Sequence, residues 1–167
     1  MRSSIDVHNH LLADDVVHEL SQLPGPLRDL STAPSVLGLP PVAVARPTLL
    51  ADEAGCVVVL APADAEVDTA GVGELLGRRL DPVPPDRAPG LTGYLLPFVP
   101  PVGLECPATL VVDERVAAQD VVYTAAGEPG VILKVRGGDL VKATSAVVAD
   151  VTRHRTGPTG TGPGNPG

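Results

Sequence analysis

Apolar positions fall into short runs separated by glycine and proline, and the period of those runs changes along the chain. Residues 4–13 (SIDVHNHLLA) carry Ile5, Val7, Leu11 and Leu12 at mixed helical spacing, behind Ser4, a residue type that caps helix starts. A short strand is predicted over 16–20, and Pro24, Gly25 and Pro26 break the chain after it. Ser31-Thr32-Ala33-Pro34 combines a polar cap with an early proline and opens a short helix that Gly38 ends. Residues 41–50 (PVAVARPTLL) and 56–61 (CVVVLA) read as two strands about the turn Asp52-Glu53-Ala54-Gly55, a hairpin. Asp68 caps a helix ending at Gly77, although Gly71 and Gly73 lower its intrinsic helicity. Residues 81–107 are proline-rich and irregular, a length that inside a compact domain points to function or disorder. Strands return over 109–112, 121–125 and 131–135, the last two joined by Gly127-Glu128-Pro129-Gly130. A last helix starts near Leu140 with Asp139 as its cap. Hairpin-connected strands between helices predict an α+β domain with a mixed, largely antiparallel sheet.

Composition sets the scale. A chain of 167 residues, 44% apolar, holds one domain and a modest tail. Residues 1–152 are assigned to the domain. Residues 153–167 (RHRTGPTGTGPGNPG) offer almost nothing to bury and are expected to be disordered. A net charge of −8 weighs against sequence-blind gripping of nucleic acid, DNA included, which needs Lys and Arg to displace counterions. It leaves room for a pocket that takes only the tip of a nucleic-acid strand, and for a partner protein that supplies basic surface. Cys56 and Cys106 lack C-x-x-C spacing and read as two buried small hydrophobes in a reduced, intracellular protein. No apolar run approaches the about 18 residues of a membrane helix, and residues 1–20 hold no signal-type apolar core, so a cytoplasmic protein away from the membrane is expected.

Asp6-Val7-His8-Asn9-His10 has the D-x-H-x-H form of metal-dependent amidohydrolases, in which two histidines on a strand share one face and one metal. That chemistry needs further distant ligands, and the other histidines are His18 and His154, the latter in the tail. On the predicted helix His8 and His10 point about 200° apart, which is unsuited to chelation. No metal or organic cofactor is therefore expected. No G-x-S-x-G and no phosphate-binding glycine loop occurs, and Gly71-Val72-Gly73 sits inside a predicted helix. Asp64, Glu66 and Asp68 read as a solvated turn and a helix cap. The most informative stretch is 92–103 (TGYLLPFVPPVG), a stiff apolar loop with glycines only at its ends. Such loops between strands commonly wall pockets.

This stretch resembles the T-G-Y-x-x-G-G-x-S-P-x-G loop of the YbaK/EbsC family, which includes free-standing aminoacyl-tRNA deacylases and the editing domain inserted in bacterial prolyl-tRNA synthetase. Other pieces fall in the family's order: Asp6 through His18-Glu19-Leu20; the strand 42–50; Val111-Val112-Asp113-Glu114; Tyr123 through Gly130; and Gly138-Asp139-Leu140, Ala143-Thr144 and Ala149-Asp150-Val151. The resemblance implies a curved, half-barrel-like sheet surrounded by about five helices. It also implies a hydrolase in translation quality control, acting on the acceptor end of aminoacyl-tRNA, with prolyl-tRNA synthetase or another synthetase as a partner.

In the family, a lysine holds the terminal phosphate or sugar, loop N–H groups stabilise the reacting ester, and the substrate's own ribose hydroxyl assists the attacking water. By position that lysine is Arg46, the candidate catalytic residue. Thr92, Gly93, Leu96, Pro97, Phe98, Val99, Pro101, Gly103 and Gly127 are the candidate substrate-binding residues, and the implied pocket lies between the Arg46 strand and the 92–103 loop. The chain departs from the pattern at Arg46, at Pro97 and Phe98 in place of two glycines, and at Ala125 in place of a small polar residue. Proline has no N–H to offer, and Phe98 is expected to occupy space near substrate. The alternative reading is a binding module for aminoacyl-tRNA or a synthetase that does not hydrolyse.

Overall fold

The computed structural model describes residues 1–25 and 27–153, so most of the expected tail lies outside the described residues. The architecture is α+β. Its centre is the hairpin of β2 (Ala45–Asp52) and β3 (Gly55–Pro62), antiparallel with Arg46 opposite Ala61 and Asp52 opposite Gly55. β3 is apolar on both faces because both are covered. Cys56, Val58 and Leu60 point into the main core with Leu110, Val112 and Tyr94, while Val57 and Val59 point into a second cluster with Leu50, Val72 and Val151.

β5 (Ala108–Asp113) adds parallel to β3, β8 (Val147–Ala149) adds parallel to β5, and β4 (Asp81–Pro82) flanks β2, giving the order β4-β2-β3-β5-β8. A second, antiparallel sheet has the order β1 (His18–Gln22), β7 (Val131–Arg136), β6 (Val121–Ala125). The sheets meet where Val44 bridges Tyr123 and the buried Thr124 hydroxyl donates to the Ala45 carbonyl at 2.8 Å. The mixed, mostly antiparallel β-structure expected from the sequence is thus present, as two ladders joined at one seam.

Six α-helices surround it among the described residues: α1 (Ser4–Ala13), α2 (Ala33–Leu37), α3 (Thr69–Leu76), α4 (Ala88–Thr92), α5 (Glu114–Ala117) and α6 (Gly137–Thr144). Several boundaries differ from the sequence reading for local reasons. Ser3, not Ser4, caps α1: its hydroxyl accepts from Ile5 N while Asp6 returns to Ser3 N, a capping box. Ser4 N is used elsewhere, donating to Glu128 Oε2 at 2.8 Å. That bond is the main reason the Glu128 carboxyl lies below its ordinary range, and it docks α1 on the β6–β7 turn.

Pro41 to Ala43 form a 3₁₀ turn, so β2 starts at Ala45. α6 begins at Gly137, which leaves Asp139 in the first turn rather than at the cap. Asp68 and Gly77 bound α3 as predicted, and its two glycines have a packing reason. A Cβ at Gly71 would lie 2.7 Å from Asp68 Oδ2, and one at Gly73 would lie 2.7 Å from the Arg78 carbonyl oxygen.

Candidate functional site

β4 covers β2 only at Leu50 and Ala51. Val83 N donates to the Leu49 carbonyl at 3.1 Å and the Thr124 hydroxyl to the Ala45 carbonyl, and between them sits Pro47, which cannot donate to a neighbouring strand. This stretch of β2 lines a cleft of about 340 Å³ formed by Asp29, Arg46, Pro47, Thr48, Leu49, Pro82, Val83, Leu96 and Pro97. The half-buried Arg46 side chain is oriented by a bond from its Nη2 to the Ala65 carbonyl at 2.8 Å. Asp29 caps a 3₁₀ turn (Leu30–Thr32), accepting from the Ser31 hydroxyl at 2.6 Å and the Ser31 amide at 2.8 Å. Those bonds, with the positive charges of Arg46 and Arg28 adding to them, hold its carboxyl below the ordinary range. The cleft therefore presents a fixed guanidinium, an ionised carboxylate and one hydroxyl, Thr48, over an apolar wall.

The 92–103 loop is staked at three points. The buried Thr92 hydroxyl donates to the Ala88 carbonyl at 2.8 Å and accepts from Tyr94 N at 3.1 Å, closing α4, while Gly93 takes the left-handed cap conformation. Tyr94 is fully buried, and its hydroxyl donates to the Gly103 carbonyl at 3.3 Å, tying the two ends of the loop. Burial pushes the Tyr94 phenol up to about 12, so it stays a neutral donor. Gly127 N donates to the Phe98 carbonyl at 3.0 Å, at a φ of +94° and so close that a Cβ would meet Tyr94 Cε1 at 2.8 Å. Between the stakes, Leu96–Phe98 form a 3₁₀ turn in which Phe98 N and Val99 N bond to the Leu95 and Leu96 carbonyls. Pro97, Pro100 and Pro101 have no N–H at all.

The candidate residues separate into distinct places. Arg46, Leu96 and Pro97 share the cleft. Phe98 turns inward, 5% exposed, in a cluster with Leu30, Val44, Ala125 and Ile132. Rather than filling the cleft it packs with Ala125, so two departures from the family pattern occupy one apolar cluster. Val99 is buried in the main core, and Thr92, Gly93 and Gly127 shape the loop from within. Pro101 and Gly103 line a separate cavity of about 330 Å³, together with Arg2, His10, Cys106 and Thr144.

Among the residues lining the cleft, the sequence did not point to Asp29, Pro47, Thr48, Leu49, Pro82 or Val83. Asp29-x-Ser31 carries a local signal, that of a side-chain cap, but nothing local says that it faces Arg46. The histidines of the D-x-H-x-H stretch diverge: His8 Nδ1 lies 2.8 Å from His18 Nε2, and His10 lies 3.3 Å from Asp14. Among the described residues no group of three or more His, Cys, Asp or Glu could hold a metal ion, and no helix is long and apolar enough to cross a membrane.

Residues 25–143 match the family model of the aminoacyl-tRNA editing domain. The crystal structure of a hypothetical protein, APE2540, superposes with a TM-score of 0.81 at 30% sequence identity, covering 89% of this chain and 99% of that one. A protein proposed as a trans-editing enzyme for prolyl tRNA synthetase superposes at 0.81 with 24% identity, covering 92% of this chain and 99% of that one. A scaffold from epitope-grafting design gives 0.81 at 22%, covering 92% and 99%. The last two likenesses bear on the fold alone. That fold is the one implied by the sequence resemblance.

Proposed function

The chain belongs to the aminoacyl-tRNA editing domain family, and on that premise we propose that it hydrolyses the ester of a mischarged tRNA in the cleft between Arg46 and the Leu96–Pro97 turn. One observation carries the reading: the guanidinium and the proline-stiffened turn line the same cleft, with an ionised carboxylate beside them. Its volume of about 340 Å³ is at the small end for ligand pockets, which suits an amino acid and the terminal ribose.

A guanidinium has five N–H donors, and the bond to Ala65 uses one and fixes the fork. The remaining face grips the terminal phosphate or sugar. Asp29 attracts the substrate's α-ammonium group, and the apolar wall of Leu49, Val83 and Leu96 takes an uncharged side chain. Water, positioned by the substrate's neighbouring ribose hydroxyl, attacks the ester carbonyl. The bond from carbonyl carbon to ribose oxygen breaks, that oxygen takes one of the water's protons, the other passes to solvent, and the amino acid leaves as a carboxylate. The partners that follow are the acceptor end of aminoacyl-tRNA and, given the net charge of −8, a synthetase that supplies basic surface.

A second reading, binding without hydrolysis, is favoured by a specific feature. Three loop prolines lack N–H, and the amides of Phe98 and Val99 are used within the 3₁₀ turn. Donors for a developing oxyanion are therefore scarce.

A panel of mischarged tRNAs, with loss of the ester followed against buffer, separates the two. Hydrolysis of at least one pair is expected. Arg46→Ala should lower kcat/KM roughly 10- to 100-fold, the equivalent of a charge-assisted bond of about 1.5–3 kcal/mol. Buffer-level rates across the panel remove the enzyme. Affinity for a non-hydrolysable aminoacyl-adenosine analogue then tests the binding module.

A further inference from the structure

Cys56 and Cys106 are far apart in sequence, and the fold brings them to one place. β3 and β5 run parallel with Cys56 opposite Ala108, and Cys106 stands two residues before Ala108. The run-in to β5 presses on the start of β3. Cys56 N donates to the Pro107 carbonyl at 2.9 Å, and a Cβ on Gly55 would lie 2.4 Å from that same oxygen. Both thiols are free, and Cys106 packs against the main core cluster that contains Cys56. Their exposure differs: Cys56 is 1% exposed in the main core, whereas Cys106 is half-buried and lines the open 330 Å³ cavity beside Pro101 and Gly103.

We propose that Cys56 and Cys106 form a reversible redox pair, with Cys106 as the thiol that meets a peroxide oxidant and Cys56 as the resolving thiol. The Cys106 sulfur attacks one peroxide oxygen, the O–O bond breaks, water leaves and a sulfenic acid remains. The Cys56 sulfur then attacks the Cys106 sulfur, the S–O bond breaks, the disulfide forms and a second water leaves. Two thiols lose two hydrogens and one hydrogen peroxide becomes two waters. A dithiol reductant reverses the step by exchange. Cys106 opens to the cavity and meets the oxidant first, whereas Cys56, buried and with its thiol pushed up to about 12, gives its proton to the departing hydroxyl as it attacks. The bridge reaches the cleft through the backbone: Glu105 N, next to Cys106, donates to the Thr92 carbonyl at 3.0 Å, at the start of the loop that walls it.

The test uses the full reduced chain and hydrogen peroxide at a few equivalents. Thiols are counted after denaturation, intact mass is measured, and circular dichroism checks the fold. The expected result is a fall from two thiols to none, a mass lower by two hydrogens, a monomer on a non-reducing gel, and full recovery with dithiothreitol. Cys56→Ser should leave a Cys106 sulfenic acid that dimedone traps, and Cys106→Ser should leave Cys56 unreacted. A wild-type chain that keeps its Cys56 thiol, whether Cys106 stays reduced or advances to sulfinic acid, overturns the pairing. So does a disulfide found only between two chains. None of these readouts depends on esterase activity, so the pairing stands or falls apart from the proposed reaction.

Discussion

At the scale of single residues, Pro97 decides what the loop can donate. It sits inside the 3₁₀ turn, at the rim of the cleft, where the family pattern has glycine. Pro97→Gly returns an N–H to that rim and frees φ there. One lost oxyanion donor costs about 100- to 1,000-fold in other hydrolases, and a rebuilt donor recovers only part of that. Single-turnover ester loss is therefore expected to rise by roughly 10-fold, with stability falling by about 0.4–1 kcal/mol from the added freedom of the unfolded chain. An unchanged rate in a folded variant would take the position-97 amide out of the mechanism. Phe98 shows why such residues were only half legible in the sequence. Its place in the motif was readable, but its direction was not, because it depends on the space beside Ala125, contributed by β6.

At the scale of elements, short-range chemistry was legible and long-range pairing was not. Asp68 and Gly77 announce α3, and Asp52 to Gly55 announce the hairpin, because caps and turns act through their own neighbours. β8, three residues long, exists only because β5 offers it an edge, and its own sequence carries no comparable signal. The same hairpin carries an acid-sensitive latch. Asp52 accepts from Arg78 Nε at 2.8 Å and Nη2 at 2.6 Å, tying the turn to the end of α3. Arg78 brings the Asp52 carboxyl down to about 2, below the about 3.9 of an unfolded chain. A depressed folded-state value stabilises at pH above the unfolded one and is lost as pH falls through the folded one. The latch is thus complete above about pH 5 and is lost progressively as pH falls through about 2. Thermal unfolding of wild type and Asp52→Asn should differ by a constant amount from neutrality to about pH 5, and the gap should shrink from about pH 4 downward and close only below about pH 2. A gap undiminished at about pH 2 would assign the stabilisation to packing of the Arg78 stem instead.

At the scale of the whole molecule, charge determines how a tRNA is held. The chain carries 12 Lys and Arg against 20 Asp and Glu, and many of its cations already face acids: Arg2 with Asp6 and Glu105, Arg78 with Asp52, Arg115 with Asp113, Lys134 with Glu19, Arg153 with Glu66. Arg46 instead bonds through Nη2 to a backbone carbonyl and lines a cleft beside Asp29. This contrast could not be read from the sequence, where Arg46 was identified by its position in a motif and Asp29, its counterpart across the cleft, went unnoticed. On the proposed function, a chain of net charge −8 that presents Arg46 in this cleft would engage one or two phosphates at the acceptor end rather than track the tRNA backbone. Each phosphate contact contributes a slope of about −0.7 to the plot of log affinity against log salt for a single strand. Titration of a non-hydrolysable aminoacyl-tRNA between low and physiological salt should therefore give a slope of roughly −0.7 to −1.4, and Arg46→Ala should flatten it by about 0.7. A slope steeper than about −4 would mean that this acidic chain carries a phosphate-tracking surface after all, and a slope that Arg46→Ala leaves untouched would move the acceptor end out of this cleft.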